Sequence, residues 1–407
     1  MVFCYLLYYS ASVHGARHQA NNQILDTKSI KNGSALKEKL SEYGEGILLP
    51  LNSGPNGNFL VTVGFGTPAH DITLLFDTGS DITWIKCQPF GGDTGNNTDC
   101  NSHTIFDPSS SSTFSNDLSC IPNCNSSGNY NDNTSFTGYF ATDTLTIISD
   151  QIPNFIFVCA QKISGDFEGA SGLLAFGRGK NSLLAQTDLN LLSMFCYCLP
   201  ISETSSGYIV FGVQAFETCQ PEITKFIPIE PASSQIGLTG YYIPVIGITI
   251  GGKRLEIASY VPSNSSSVRA IIDSGTVISR LPPSLYSALR SAFQEIMSGY
   301  PRTSPSEPDS GLLDTCYNLD GHINDWRPPN IVLHLGGYDK PVDIDLHSSA
   351  AAISGKNDSE VCLAFVGNKN DNDLFIIGNK QHRARDIFFD INNKILYFSS
   401  SGCLASN

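Results

Sequence analysis

Two short stretches of this chain are near copies of one another, and their aspartates stand 196 residues apart. Leu74-Leu75-Phe76-Asp77-Thr78-Gly79-Ser80 is echoed by Ala270-Ile271-Ile272-Asp273-Ser274-Gly275-Thr276. Each is an apolar, strand-like run that ends on Asp-Thr/Ser-Gly-Ser/Thr. The separation is far too long for a solenoid period, so it points to two related lobes with one copy in each. A second echo supports this. Gly172-Leu173-Leu174-Ala175-Phe176-Gly177 follows Asp77 by 95 to 100 residues, and Phe375-Ile376-Ile377-Gly378 follows Asp273 by 102 to 105. Each lobe therefore carries an Asp loop and, later, an apolar strand closing on glycine.

One Asp-Thr-Gly is an ordinary turn. Two with matching flanks imply more, because related loops meeting across a two-fold axis bring two carboxylates to about 3 Å. Both cannot ionise at that distance, so one holds a proton while the other stays charged. The ionised member takes a proton from a water held between them, and the protonated member donates to a substrate carbonyl oxygen. A tetrahedral gem-diol forms and breaks without a covalent enzyme intermediate. Asp77 and Asp273 are the candidate catalytic pair, and the chemistry calls for no cofactor or metal. Gly79 and Gly275 let each loop turn sharply. The hydroxyls of Thr78, Ser80, Ser274 and Thr276 can donate to the carboxylates or brace the loops. Asp81 reads as a solvated or loop-capping residue.

The rest of the chain favours β structure. Among 407 residues, 41% are hydrophobic and only 15% charged, too apolar for disorder and too weakly charged for a coiled coil. Short β-branched or aromatic runs recur at Phe59–Val63, Ile72–Phe76 and Thr144–Ile148, and again within 241–257 and 385–399. Pro282-Pro283-Ser284 signals a helix start, followed by Leu285, Leu289, Phe293 and Ile296 at helical spacing. A second helix is expected within Asn181–Leu192. The polar stretch 91–137 reads as loop. A net charge of −14, with −15 in the 362 residues after position 45, repels phosphate backbones and argues against nucleic acid.

Twelve cysteines without a CxxC zinc pattern point to disulfides in an oxidising compartment. Asn32, Asn96, Asn125, Asn133, Asn264 and Asn357 head Asn-x-Ser/Thr sequons. Residues 1–16 read as a secretory signal, although no Lys or Arg precedes the apolar run Val2–Tyr9. Residues 17–50 read as a short leader, either a propeptide held by charge or a solvated tail. No stretch approaches the roughly 20 apolar residues of a membrane span.

From about Gly57 to Cys403 the sequence resembles pepsin-type aspartic proteases, in particular the plant group of nepenthesins and chloroplast-nucleoid proteases. The resemblance is carried by FDTGSDITWIKC (76–87), IFDPSSSSTFSNDLSC (105–120), GYFATDTLTI (138–147), GLLAFGRGKNSL (172–183) and CYCLP (196–200). It continues in AIIDSGTVISRLPPSLYSALRSAF (270–293), LLDTCYNL (312–319), VCLAFVGN (361–368) and FIIGN (375–379). It implies a mainly β, bilobal pepsin-like acid protease fold. Two related β-barrel-like lobes, 57–220 and 221–407, would hold a few short helices and an active-site cleft between them. It also implies an acid endopeptidase acting on peptides or proteins, monomeric and secreted, with the vacuole or a plastid as other destinations. Gly79, Ser80, Tyr130, Gly275 and Thr276 would contact substrate, while Thr78, Trp84 and Ser274 support the site. The implied bridges are Cys87–Cys100 and Cys316–Cys362, with Cys120 and Cys124 tied in the same polar region and Cys159 reaching Cys403. Cys196 and Cys219 are unusual for the family, and we expect them to pair with each other.

Two departures stand out. The flap segment Tyr130-Asn131-Asp132-Asn133-Thr134 has asparagines where the family has glycines, and Asn133 heads a sequon there. The leader is shorter than is usual in the family. Some plant proteins of this fold are inhibitors or binding proteins, so a catalytically weak relative is the alternative. Other motifs fail in context. Gly64-Phe65-Gly66-Thr67-Pro68-Ala69 mimics a dinucleotide loop but is followed by a strand rather than a helix. Gly177-Arg178-Gly179-Lys180 lacks Walker spacing.

Overall fold

Alternating burial sets the register of the first half. In the strand Phe59–Phe65, Phe59, Val61 and Val63 are buried while Thr62 faces solvent. It pairs antiparallel with His70–Asp77, which ends on the first aspartate. The computed structural model describes residues 47–403 apart from 55–56, 90–104, 118–124, 131–133, 166, 168, 188–192, 203–204, 232–239, 258–266, 306–311, 356–358 and 401. The signal expected at 1–16 and almost all of the leader lie outside these residues. Of the leader, only 47–50 is described. Leu48–Ser53 is a strand with Leu49 and Leu51 buried, paired to Gly207–Phe211 and to the strand starting at Phe59.

The described residues form sheets of 13, 8 and 4 strands with a few short helices. The fold is mainly β, bilobal and pepsin-like. Both halves repeat one local topology. In the first, His70–Asp77 lies parallel to Gly172–Ala175, with Asp77 opposite Ala175. In the second, Val268–Asp273 lies parallel to Phe375–Gly378, with Asp273 opposite Gly378. A short strand follows each aspartate. Trp84–Lys86 packs antiparallel to Gly172–Ala175, and Ser279–Leu281 packs antiparallel to Phe375–Gly378. The two sequence echoes are thus hydrogen-bonded neighbours, one pair per half.

The halves share a sheet. Met194–Cys198 pairs with Asp386–Asp390, which pairs with Ile395–Phe398. Phe195 stacks on Phe389 at 4.5 Å across this junction. The buried ring of Tyr197 meets Phe76 at 5.0 Å, directly before the first aspartate. The junction is apolar on both faces, so it holds the lobes as a core holds a domain.

The helix begins at Pro283 as the sequence indicates and ends at Ile296. Asp371 caps it, accepting from the Ser284 N–H at 2.8 Å. Leu285, Leu289 and Phe293 are buried, but Ile296 is 42% exposed and Met297 takes the inward place. Steps of four from Leu285 lead to residue 297, not 296. Of the second expected helix only Leu183–Gln186 forms within the described residues. The expected loop 91–137 contains an unforeseen strand, Asn125–Asn129. Its sequence NSSGN has no apolar alternation because its inward positions are Ser126 and Gly128, the latter pressed against the Phe136 ring, so propensity alone does not reveal it.

The cysteines correct two expected pairings. Cys87 bonds Cys159, not Cys100, which lies outside the described residues along with Cys120 and Cys124. Parallel pairing of Ile85 with Cys159 brings Cys87 and Cys159 to a Cα separation of 5.3 Å. Cys403 bonds Cys198 rather than Cys159, tying the C-terminal segment to the junction sheet. Cys316–Cys362 and Cys196–Cys219 are bridged.

The Cys196–Cys219 bridge closes 23 residues, a loop whose unfolded entropy corresponds to about 3 kcal/mol. Urea unfolding of a Cys196→Ser/Cys219→Ser variant is expected to show a loss of that order. Peptide mapping without reductant should recover both the 196–219 and the 198–403 cross-links. Free thiols at 196 and 219, or an unchanged midpoint, would contradict the assignment.

Candidate active site

Both aspartates sit where a buried strand turns into a loop, and each loop grips the other. The Thr78 N–H donates to Ser274 Oγ at 2.9 Å, and the Ser274 N–H donates to Thr78 Oγ1 at 3.0 Å. Each hydroxyl then donates onward to the opposite strand. Thr78 Oγ1 bonds the Ile272 carbonyl and Ser274 Oγ the Phe76 carbonyl, both at 3.0 Å. Thr78 and Ser274 are almost wholly buried. These four bonds have no competing water, so they fix the two loops relative to each other.

The carboxyls face each other. A Cβ built on Gly79 would lie 2.6 Å from Asp273 Cγ, and one on Gly275 would lie 2.6 Å from Asp77 Cγ. Neither glycine has room for a side chain, and the reason is the opposite aspartate. Asp77 interacts with Asp273 both by charge and by a hydrogen bond between the side chains. Each carboxylate also has donors in its own loop. Asp77 accepts from the Gly79 N–H at 2.7 Å and from the Ser80 hydroxyl. Asp273 accepts from the Gly275 N–H at 2.9 Å, the Thr276 N–H at 3.1 Å and the Thr276 hydroxyl at 2.7 Å.

The pair is similar in bonding, with two loop donors on Asp77 and three on Asp273, but not in exposure. Asp77 is buried, whereas Asp273 is half-buried. Burial, and then the charge of Asp273, push the Asp77 carboxyl well above the usual carboxylate range, against the pull of Ser80 and Gly79. Such a pair can keep one proton and one charge over a wide pH range, which is what simultaneous acid and base action on a bound water requires.

An aromatic cluster forms around Trp84, which opens the strand after the Asp77 loop. Trp84 is fully buried, stacks on Phe136 at 5.1 Å and meets Phe167 edge-on at 4.7 Å. Its indole N–H donates to the Tyr130 hydroxyl at 2.7 Å. Tyr130 stands at the end of a hairpin arm made by Asn125–Asn129 and Ser135–Ile147. The hairpin tip, with the Asn133 sequon, lies outside the described residues. Eight of the ten candidate site residues other than the cysteines meet in these two loops: Asp77, Thr78, Gly79, Ser80, Asp273, Ser274, Gly275 and Thr276. Trp84 and Tyr130 are bonded to each other.

Apart from the loop-capping reading of Asp81, sequence reasoning missed the braces. The loop after Gly172–Ala175 docks on the first aspartate's loop through Phe176 N–H to the Asp77 carbonyl at 2.7 Å and Gly177 N–H to the Ser80 carbonyl at 2.8 Å. Asp81 caps this contact, accepting from the Gly179 N–H at 2.7 Å. Between those glycines, Arg178 reaches into the other half and donates to the carbonyls of Gly240 at 3.1 Å and Glu230 at 3.2 Å. The Tyr241 hydroxyl returns the contact, donating to the Phe176 carbonyl at 2.6 Å. On the second side, the Asn379 side-chain amide holds the Ser274 carbonyl at 3.1 Å. The available signal was the second echo itself, whose trailing residues are these braces.

Comparison with known proteins gives the same outline. The chain matches two family descriptions, Xylanase inhibitor N-terminal over residues 59–213 and Xylanase inhibitor C-terminal over residues 240–400. It is 37% identical to aspartyl protease AED1 of Arabidopsis thaliana, covering 95% of this chain and 81% of that protein. It is 30% identical to aspartic proteinase nepenthesin-1 of Nepenthes gracilis, covering 97% and 89%. Among solved structures it is similar in fold to basic 7S globulin from soybean, with a TM-score of 0.67 and 19% identity over 88% of this chain and 97% of that one.

Two outcomes follow from this geometry. Thr78→Val removes a buried hydroxyl that donates and accepts between the halves, and is expected to cost about 1–3 kcal/mol in urea unfolding. An unchanged midpoint would contradict the bracing role. The raised pKa of Asp77 means the folded chain holds a proton that the unfolded chain releases near 3.8. Stability from this group is therefore full below that pH and falls as pH rises above it. Asp77→Asn cannot lose that proton, so its midpoint should gain on the parent's between pH 4 and pH 7. Parallel profiles would contradict the shift.

Proposed function

The chain belongs to the aspartyl protease family, and on that footing we propose that it is an aspartic endopeptidase, hydrolysing peptide bonds at acid pH. The observation that supports this most is the Asp77–Asp273 contact, in which each aspartate leaves no space for a side chain on the opposite loop's glycine. In this reading a water lies between the two carboxyls. The ionised one removes its proton as the oxygen attacks the scissile carbonyl, and the protonated one donates to the carbonyl oxygen. Breakdown of the gem-diol transfers a proton to the leaving nitrogen and restores the pair.

Substrate would lie extended across the cleft. Gly79, Ser80, Gly275 and Thr276 offer it loop edges, and the Tyr130 hairpin would cover it from above. Thr78 and Ser274 keep the loops together, while Trp84 holds the Tyr130 hydroxyl in place. We read residues 1–16 as a secretory signal, 17–50 as a leader, and 57–220 and 221–407 as the two lobes. Secretion, disulfide-bonded folding, glycosylation and a monomeric state complete the reading, with peptides and proteins as substrates and no role for nucleic acid.

The other reading, an inhibitor or binding protein, draws on the family descriptions matched by both halves. The intact pair and its two glycines favour hydrolysis. Digestion of a denatured protein at pH 3 to 5, with and without pepstatin, separates the two. We expect pepstatin-sensitive cleavage that falls by at least about 10³-fold in Asp77→Ala. Cleavage indifferent to both, or none by the parent, would overturn the proposal.

A further inference from the structure

We propose that Asn125 carries an N-linked glycan on the outer face of the hairpin that bears Tyr130. The inference rests on the secretion reading above and concerns which position is modified and what the sugar does there. Asn125-Ser126-Ser127 is the one sequon that lies complete among the described residues. Its strand, Asn125–Asn129, alternates in burial. Asn125, Ser127 and Asn129 are exposed, while Ser126, Gly128 and Tyr130 are half-buried.

The inward face is occupied. A Cβ on Gly128 would collide with the Phe136 ring, and Tyr130 is bonded to Trp84. The side-chain period of two then sends Asn125 to the opposite face. There its cross-strand neighbour pairs are Asn125 with Tyr139 and Ser127 with Thr137, and Thr137 is exposed as well. A glycan at this position stands on the face opposite Gly128 and Tyr130.

The strand also needs a cover. It ends the 13-stranded sheet, and among the described residues no strand pairs with its outer edge. Free edges invite pairing with other extended chains, and proteins blunt them with charge, proline, bulges or bulk. NSSGN has neither charge nor proline. A protein that handles extended peptides is exposed to such pairing at every encounter. A hydrated glycan on Asn125 supplies the missing bulk. In its attachment the Asn125 side-chain nitrogen loses a proton and bonds the anomeric carbon of an oligosaccharide. The lipid pyrophosphate that carried the sugar leaves.

The test uses the full chain expressed in plant cells and recovered from the medium. Glycan release in heavy-oxygen water labels each formerly occupied asparagine as aspartate, and peptide mapping reads position 125. We expect position 125 to be labelled in most molecules. Asn125→Gln and Ser127→Ala should each abolish that label and raise the aggregated fraction seen by light scattering. Both should keep kcat/KM on a short peptide within about twofold of the parent. Secreted protein with a bare Asn125 overturns the site, and variants that aggregate no more than the parent overturn the shielding role. Failure of the proteolysis reading would show separately, as loss of pepstatin-sensitive cleavage with Asn125 still labelled. A chain never secreted would overturn the secretion reading and this inference with it.

Discussion

Two buried hydroxyls, Thr78 and Ser274, hold this molecule's chemistry together. Each accepts from the other loop's backbone N–H and donates to the other strand's carbonyl. Without that reciprocal set, the aspartates would be two unrelated turn residues at the ends of two strands. With it, each carboxyl lies against the opposite glycine, and the electrostatics follow from the geometry. Burial disfavours charge on Asp77, the charge of its neighbour adds to that, and the donors Ser80 and Gly79 pull the other way.

The surrounding fold protects this arrangement on several sides. Arg178 and Tyr241 tie the first aspartate's loop to the second half through backbone carbonyls. The junction sheet and its Phe195–Phe389 stack lie beneath. Within that layer, His382 is buried, donates to the Ile377 carbonyl from Nε2 and faces the Tyr197 hydroxyl with Nδ1. Burial pulls its pKa from 6.5 down to about 3. The folded chain therefore keeps this ring neutral in acid while the unfolded chain protonates it, which costs stability as pH falls from 6.5 toward 3. Asp77 acts in the opposite sense, so the two groups partly offset each other across the acid range.

Much of this could be read in the chain. The repeated Asp-Thr/Ser-Gly, the trailing apolar-Gly strands and the helix start at Pro282-Pro283 are local signals with strong backbone consequences, and the structure sets them where their spacing suggested. The carboxyl pair was legible because a repeat implies symmetry, and symmetry implies a meeting point. What escaped depends on three-dimensional adjacency. Cys87 meets Cys159 only because two strands run parallel, and no spacing rule reveals that. Arg178 looked like part of a failed phosphate loop, yet its role comes from carbonyls more than 50 residues away. The strand Asn125–Asn129 leaves no periodic trace because its inward positions are Ser126 and Gly128, with the Phe136 ring supplying the apolar contact there.

The central claim is that Asp77 and Asp273 contend for one proton. Difference infrared titration of the folded protein measures this directly, with the Asp77→Asn and Asp273→Asn variants identifying the band. The account predicts one protonated-carboxyl stretch that persists well above the ordinary aspartate value of 3.8 in the parent, disappears in Asp77→Asn and moves to lower pH in Asp273→Asn, where burial alone still holds the Asp77 proton. If every carboxyl in the parent ionises in the ordinary range, or the band titrates at the same pH in Asp273→Asn as in the parent, the two aspartates do not form a pair.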